Sequence, residues 1–342
     1  MKKRLPLLMT VFTLLICLAC ANLTLAGSKG APTVIKVSNA VTEQHPMVTA
    51  MRDVFKKVVE EKTQGRYVVE IYHSGQLGDD IKAVESLRYG ILEICTTSTP
   101  PLVGMVKKMA VFDIPFLFAN EAVADYVLDG PVGKKLATAL SKKGLVNLAW
   151  AESGFRNLTN SVKAVKTPED LKGLKIRTME NKFHLAAWRA LGANPTPMSF
   201  SEVFTALQQQ AIDGEENPIA IIYTSKFYEV NRYITLTNHV YSPYAILYSK
   251  PLFDRLPAKD QKIIFAAARQ AAVYERKLNR AANKKYLADM AKEGAVVTKL
   301  SSNQRKAFQE LTQPIWDQVT KAVGADFVKK IKVQIKKAPQ KY

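Results

Sequence analysis

Hydrophobic and polar residues in the first hundred positions switch between a period of two and a period near 3.6. Residues 31–37 alternate into a strand running on through VIKVSNA, and Glu43-Gln44-His45-Pro46 breaks it. From 47 to about 63, Val48, Met51, Phe55 and the Val58/Val59 pair recur on one helical face until Gly65. Residues 67–72 alternate again. A strand, a helix and a strand in this order predict a parallel pair joined by a right-handed crossover. Ligands in such sheets sit beyond the carboxyl ends of the strands. The loops at 42–45, including His45, and at 74–78 are therefore placed beside a possible cleft. A helix over 79–89 and a strand over 91–96 follow, the latter running into Thr96-Thr97-Ser98-Thr99-Pro100. Hydroxyls in that position either donate to a bound anion, with Ser98 the candidate, or cap the next helix.

VFDIPFLF at 111–118 reads as core interrupted by Pro115. Helices are expected over 120–128 and 133–143, then a strand over 145–150. The strand leads into Glu152-Ser153-Gly154-Phe155-Arg156, which crosses toward a second domain. There a short strand over 174–178 carries Arg177. An arginine in an apolar strand needs an anionic partner, because an unpaired buried charge is very costly. Its planar fork suits a carboxylate held by two parallel hydrogen bonds. That carboxylate is either internal, from Glu215 or Glu216, or a ligand's. Helices are predicted over 182–191, stopped by Gly192, and over 200–210, where Ser199 and Glu202 have capping-box spacing. Phe200 at that helix mouth either walls a pocket or staples the turn. Residues 213–218, DGEENP, read as a polar turn in which Asn217 braces Pro218. A helix over 223–228 and strands over 233–236 and 244–249 follow. Tyr241 and Tyr244 are candidates to line the cleft with their rings. Residues 257–293 contain neither proline nor glycine after Pro257 and are rich in good helix formers. Such a helix is roughly 50 Å long at about 1.5 Å per residue, enough to cross two lobes. Helices over 301–323 and 327–335 close the chain.

The 342 residues allow two domains, and the composition is that of an ordinary globular protein. Residues 1–26 stand apart. Lys2, Lys3 and Arg4 precede an apolar run to Cys20, and Thr24-Leu25-Ala26 offers a cleavage site. This is the pattern of a secretory signal peptide cut after Ala26. Lipoprotein processing at Cys20 is the poorer fit, with Cys17 three residues before it. No later segment reaches the roughly 20 apolar residues of a membrane helix. Cys95 is then the one cysteine of the mature chain, so no internal disulfide forms. It reads as a small buried hydrophobe. The formal charge of +19 becomes +16 once Lys2, Lys3 and Arg4 are removed. A secreted chain argues against nucleic acid as the partner, so the basic field either attracts anionic solutes or an anionic membrane surface, or is a solvated surface. The four histidines, His45, His73, His184 and His239, are too scattered for a zinc site. No GxSxG, HExxH or phosphate loop is present, so neither an enzyme nor a cofactor is expected.

Several ordered blocks carry a resemblance. SGQLG at 74–78, VFDIPFLF at 111–118, LDGPVG at 128–133, GFRNLTNS at 154–161, LKGLKIR at 171–177, LGANPTPMSFSEVFTALQ at 191–208, DGEENP at 213–218 and KFYEV at 226–230 stand in one order and spacing. From about Val34 into the 330s the chain resembles the solute-receptor subunit of tripartite ATP-independent periplasmic (TRAP) transporters, of the dicarboxylate-receptor (DctP) type. The resemblance implies an α/β two-lobe periplasmic binding protein of the Venus-flytrap kind, braced by a long helix spanning both lobes. Lobe I would hold 27–154 and 243–282, and lobe II 155–242 and 283–342. It implies a monomeric receptor that performs no chemistry and needs no metal or cofactor. It would take a small-molecule carboxylate between the lobes and deliver it to the large and small integral membrane subunits. Arg177 would grip the carboxylate, Arg156 and Asn217 would add contacts, and Phe200 would wall the pocket. Sugar-acid receptors of the sialic-acid kind carry a glutamate near Ser98 and an arginine shortly after, which this chain lacks. A receptor that reports its ligand to a signalling protein instead of delivering it is the alternative role.

Overall fold

The computed structural model describes residues 31–339. The segment read as a signal peptide, with Cys20, lies outside them. Ten strands form one hydrogen-bonded array in the order β2-β1-β3-β9-β4-β7-β5-β6, with β8 on β4 and β10 on β8. The strands are β1 (Thr33–Asn39), β2 (Tyr67–Tyr72), β3 (Ile94–Ser98), β4 (Leu145–Asn160), β5 (Lys175–Thr178), β6 (Asn194–Pro197), β7 (Gly214–Pro218), β8 (Tyr233–Leu236), β9 (Tyr241–Ser249) and β10 (Val296–Lys299).

The array is two sheets joined by β4. The first part of this 16-residue strand pairs antiparallel with β9, from Leu145 opposite Ser249 to Phe155 opposite Tyr241. Its later part pairs with β7, from Arg156 opposite Pro218 to Asn160 opposite Gly214. The register slips between Glu152 and Gly154. Gly154 has φ +114°, a conformation only glycine adopts without strain, and this bulge turns the strand from one sheet into the other. The crossing expected after Trp150 is thus a continuous strand and not a loop. The parallel pairing of β1 with β2 and with β3 follows the crossover predicted from the pattern.

Around the sheets lie α1 (46–62), α2 (Asp80–Arg88), α3 (Glu121–Asp129), α4 (Pro131–Ser141), α5 (Lys182–Ala190), α6 (Val203–Gln208), α7 (Ile219–Thr224), α8 (Phe227–Val230), α9 (Lys250–Phe253), α10 (Ala258–Lys292), α11 (Ser302–Val323) and α12 (Ala325–Lys337). The 35-residue α10 packs on α1, β4 and α7, so it touches both halves. Its polar face is tied to the crossing. Glu275 Oε2 accepts from the Glu152 amide at 2.9 Å, and Arg280 holds the Glu152 carboxylate at 2.6–2.8 Å. The protein has the two-lobe α/β architecture with a long bracing helix that the sequence implies.

Some elements differ from expectation. The DGEENP segment is not a turn but β7, buried along its whole length, because flanking β4 and β5 satisfy its backbone and its acids find internal partners. Ser199 and Glu202 form no capping box. The chain enters α6 through a 3₁₀ turn, Phe200–Glu202, and the Ser199 hydroxyl reaches Asp79 Oδ2 at 3.4 Å. The helix expected over 223–228 is split at Lys226, which sits at φ +59°. The prolines of β6 are tolerated because β6 is an edge strand. The C-terminal helices, expected with lobe II, also contact the first half. α11 packs on both α5 and the 3₁₀ segment Lys107–Asp113, and α12 on α3. Ile315, Val319, Phe327 and Ile331 join the apolar cluster of the first half, since that half leaves Val127, Leu128 and Val132 to be covered.

Candidate functional site

A small cavity lies between the halves, where the carboxyl ends of β1 and β3 face β5, β7 and the crossing in β4. Asn39, Asp80, Thr96, Ser98 and Tyr244 line it from one side. Arg156, Arg177, Met179, Phe200 and Asn217 line it from the other. Above it the halves touch. Thr42 Oγ1 donates to Thr224 O at 3.3 Å, and Ser98 Oγ lies 3.6 Å from Met179 Sδ.

Arg177 stands on β5 with its side chain only 2% exposed. Nε and Nη2 both donate to Met198 O, at 3.0 and 2.7 Å. Nη1 is buried and has no partner among the described residues. The guanidinium carbon lies 5.9 Å from the centre of the Phe200 ring. Burial, aided by the Arg156 charge, brings its pKa down to about 10 against the pull of Glu216, Glu215 and Asp80. It remains a cation at neutral pH.

The internal ion pair left open for Arg177 is made by Arg156. Arg156 Nε donates to Glu216 Oε2 at 2.5 Å, and Nη2 donates to Glu216 Oε1 at 2.8 Å and Asn217 Oδ1 at 3.0 Å. Burial would raise Glu216, but the Arg156 charge and hydrogen bonds from His184, His239 and Arg156 hold it well below the usual carboxylate range. Glu215 takes the Thr159 hydroxyl at 2.7 Å and the Asn217 amide at 2.5 Å. Burial lifts it to about 7. Asn217 therefore links Arg156 to Glu215, a role its place in a supposed turn did not suggest.

The remaining sequence candidates separate. Phe200 and Ser98 are on the wall. His45 is not. Its Nδ1 accepts from the Met47 amide at 3.1 Å at the start of α1, and its ring meets the edge of Tyr244. Burial pushes it down to about 3, so it is neutral. Tyr241 is also off the wall. Its hydroxyl donates to Glu152 Oε2 at 3.1 Å, and its ring packs on Phe118 and Phe155. Tyr241 and Tyr244 are three apart on β9, so they point to opposite faces, and the cavity takes Tyr244. Asn39, Asp80 and Met179 escaped the sequence reading. Asn39 ends β1 and Asp80 opens α2, so the rule that strand ends face the ligand locates the first and only approaches the second. Cys95 is buried with its thiol pushed well up, as befits a core residue. Among the described residues no group of histidine, cysteine and acidic side chains is placed to hold a metal.

Two sheets that share a crossing strand, a brace over both, and a buried arginine facing the space between them define a two-lobed solute-binding protein. The chain belongs to the bacterial extracellular solute-binding proteins of family 7, the DctP family, whose model matches residues 37–322. It is 37% identical to the 2,3-diketo-L-gulonate-binding periplasmic protein YiaO of Escherichia coli, over 81% of this chain and 85% of that one. The sugar acid binding protein DctPAm of Advenella mimigardefordensis, solved with galactonate, has 39% identity and a TM-score of 0.88, covering 90% of this chain and 99% of that one. A TRAP solute-binding protein of Sulfurospirillum deleyianum, solved with succinate, has 34% identity and a TM-score of 0.85, covering 88% and 99%. The chain is a receptor and not an enzyme. Its family is extracytoplasmic, binds small carboxylates and works with TRAP membrane permeases. Among the described residues no helix is long and apolar enough to cross a membrane.

Proposed function

We propose that this receptor captures an organic acid in the cavity between its halves and fixes the carboxylate on Arg177. The observation that carries this is Arg177 Nη1, a charged donor buried without a partner on the cavity wall. A buried orphan donor costs about 1–3 kcal/mol, more when charged, and a ligand carboxylate removes that cost. Met198 O holds the fork in place, and Phe200 covers its face. Arg156 and Asn217 add contacts to the acid from the neighbouring strands. Arg156 has spent Nε and Nη2 internally, so only Nη1 is left to it.

Lobe I then comprises 34–154, 243–282 and the helix α12 that packs on it; lobe II comprises 155–242. Closure is a population shift driven by contacts the acid makes only in the closed form. The mature receptor, released after Ala26, acts as a monomer and presents its closed form to a large and a small membrane subunit.

Calorimetry on the refolded protein with galactonate, gulonate and succinate tests the reading. At least one acid should bind, and Arg177→Lys should weaken it at least 100-fold with an unchanged melting curve. Undiminished binding to Arg177→Lys and Arg177→Ala removes Arg177 from the site.

A further inference from the structure

The two walls of the cavity are chemically unlike. Both cations among its lining residues, Arg156 and Arg177, come from β4 and β5 on one side. The facing wall, from the other half, carries no cation. Its polar lining includes Asp80, whose carboxylate also takes the Thr97 hydroxyl, with Thr96, Tyr244 and Ser98, the last in contact with Met179 Sδ. Asp79 caps α2 by accepting from the Lys82 amide at 3.0 Å, and Asp80 in its first turn lines the cavity. Thr96 Oγ1 accepts from Asn39 Nδ2 at 2.5 Å, so its own proton is free to donate.

An acid seated with its carboxylate on Arg177 extends toward this wall. A second carboxylate there would meet Asp80 with no cation to offset it, and like charges at short range in a desolvated site are strongly disfavoured. A hydroxyl there would donate to Asp80 and accept from Thr96. From this we infer that Asp80 is a specificity-determining residue, selecting hydroxylated monocarboxylates, the aldonic-acid class, against unsubstituted dicarboxylates. The inference rests on the carboxylate reading of Arg177 and goes beyond it, since the relatives include proteins solved with galactonate and with succinate. Burial lifts the Asp80 carboxyl to about 6, opposed by the Thr97 hydroxyl and the Arg177 charge and reinforced by Asp79. At neutral pH it is therefore mostly ionised, and an ionised carboxylate accepts hydrogen bonds without donating any.

Two four-carbon probes separate the effects: D-erythronate, with three hydroxyls and one carboxylate, and succinate, with two carboxylates and no hydroxyl. Galactonate extends the first class. Calorimetry at pH 7.5 is run on the wild type, Asp80→Asn, Asp80→Ala and Arg177→Ala, with melting curves to show that each is folded. The wild type should bind D-erythronate or galactonate at least 100-fold more tightly than succinate. Asp80→Asn and Asp80→Ala should each narrow that ratio at least tenfold, by weakening the hydroxy acid while leaving succinate equal or stronger. Arg177-dependent binding that favours succinate, or a ratio unmoved by both Asp80 variants, overturns the role of Asp80 alone. Binding of neither class, or acid binding that survives Arg177→Ala, overturns the carboxylate reading and this inference with it.

Discussion

At the scale of single residues, the cavity owes its positive character to an unequal division of buried charge. Arg156 has a dedicated counter-ion in Glu216, while Arg177 has no ion pair within 4 Å among the described residues, although their strands lie one strand apart in the same sheet. Behind them His184 sits between Asp113 at 3.2 Å and Glu216 at 3.7 Å. Burial alone would lower His184, but hydrogen bonds and charge from Asp113 and Glu216 overcome it and hold the imidazole up at about 9. A histidine whose folded pKa exceeds its unfolded value of roughly 6.5 contributes stability that is complete below that value and is lost as pH rises through the folded pKa. The melting temperature is therefore expected to fall between pH 6.5 and 9, and His184→Asn to flatten that fall while lowering stability at pH 6. Burial has already pushed His45 down to about 3, which gives the opposite slope, on the acid side of 6.5. Identical slopes above pH 6.5 in the wild type and His184→Asn would show that His184 is not the group titrating there.

At the scale of elements, β7 carries the two buried glutamates behind the site, Glu215 and Glu216, and was the least legible stretch. Asp-Gly-Glu-Glu-Asn-Pro has the composition of a solvent-exposed turn, and nothing local signals that Arg156, Thr159 and His239 will absorb its charges. Its entry depends on Gly214. A Cβ there would lie 2.3 Å from Thr159 O and 2.9 Å from Ile176 Cδ1. Gly214→Ala is expected to cost about 1–3 kcal/mol through overpacking between β4 and β5. Urea unfolding should show a lower midpoint at an unchanged slope. An unaltered midpoint would mean that the strands separate freely there. The long α10, by contrast, could be read directly, since 35 residues without an internal glycine or proline leave the backbone little alternative.

At the scale of the molecule, the halves meet through Thr42 with Thr224 and Ser199 with Asp79, and more deeply through Asp113, which accepts from Asn181 Nδ2 at 2.8 Å and faces His184 at 3.2 Å. An acid that touches both walls adds its own contacts to these and is expected to shift the population toward the closed form. Small-angle scattering should show the radius of gyration falling when a bound acid is added to the refolded protein. Arg177→Ala should show no change at the same concentration. At 100 times its dissociation constant the acid adds about 2.7 kcal/mol of stability, which a melting curve resolves. A radius indifferent to an acid that binds would mean that the halves are already locked together.

The sequence by itself determined the alternation of strands and helices, the crossing after Trp150, the brace and the family, because periodicity, breakers and ordered motifs are local properties of the chain. It also singled out Arg177, since a charge in an apolar strand is anomalous wherever the strand lies. Tertiary structure alone decided which arginine is paired internally, that β7 is a buried strand, that Tyr244 and not Tyr241 lines the cavity, and that α12 packs on α3. It also placed Asp80 opposite Arg177, on elements nearly a hundred residues apart. Pairing of buried charges and the facing of side chains depend on what the rest of the chain brings alongside, and no local pattern records that.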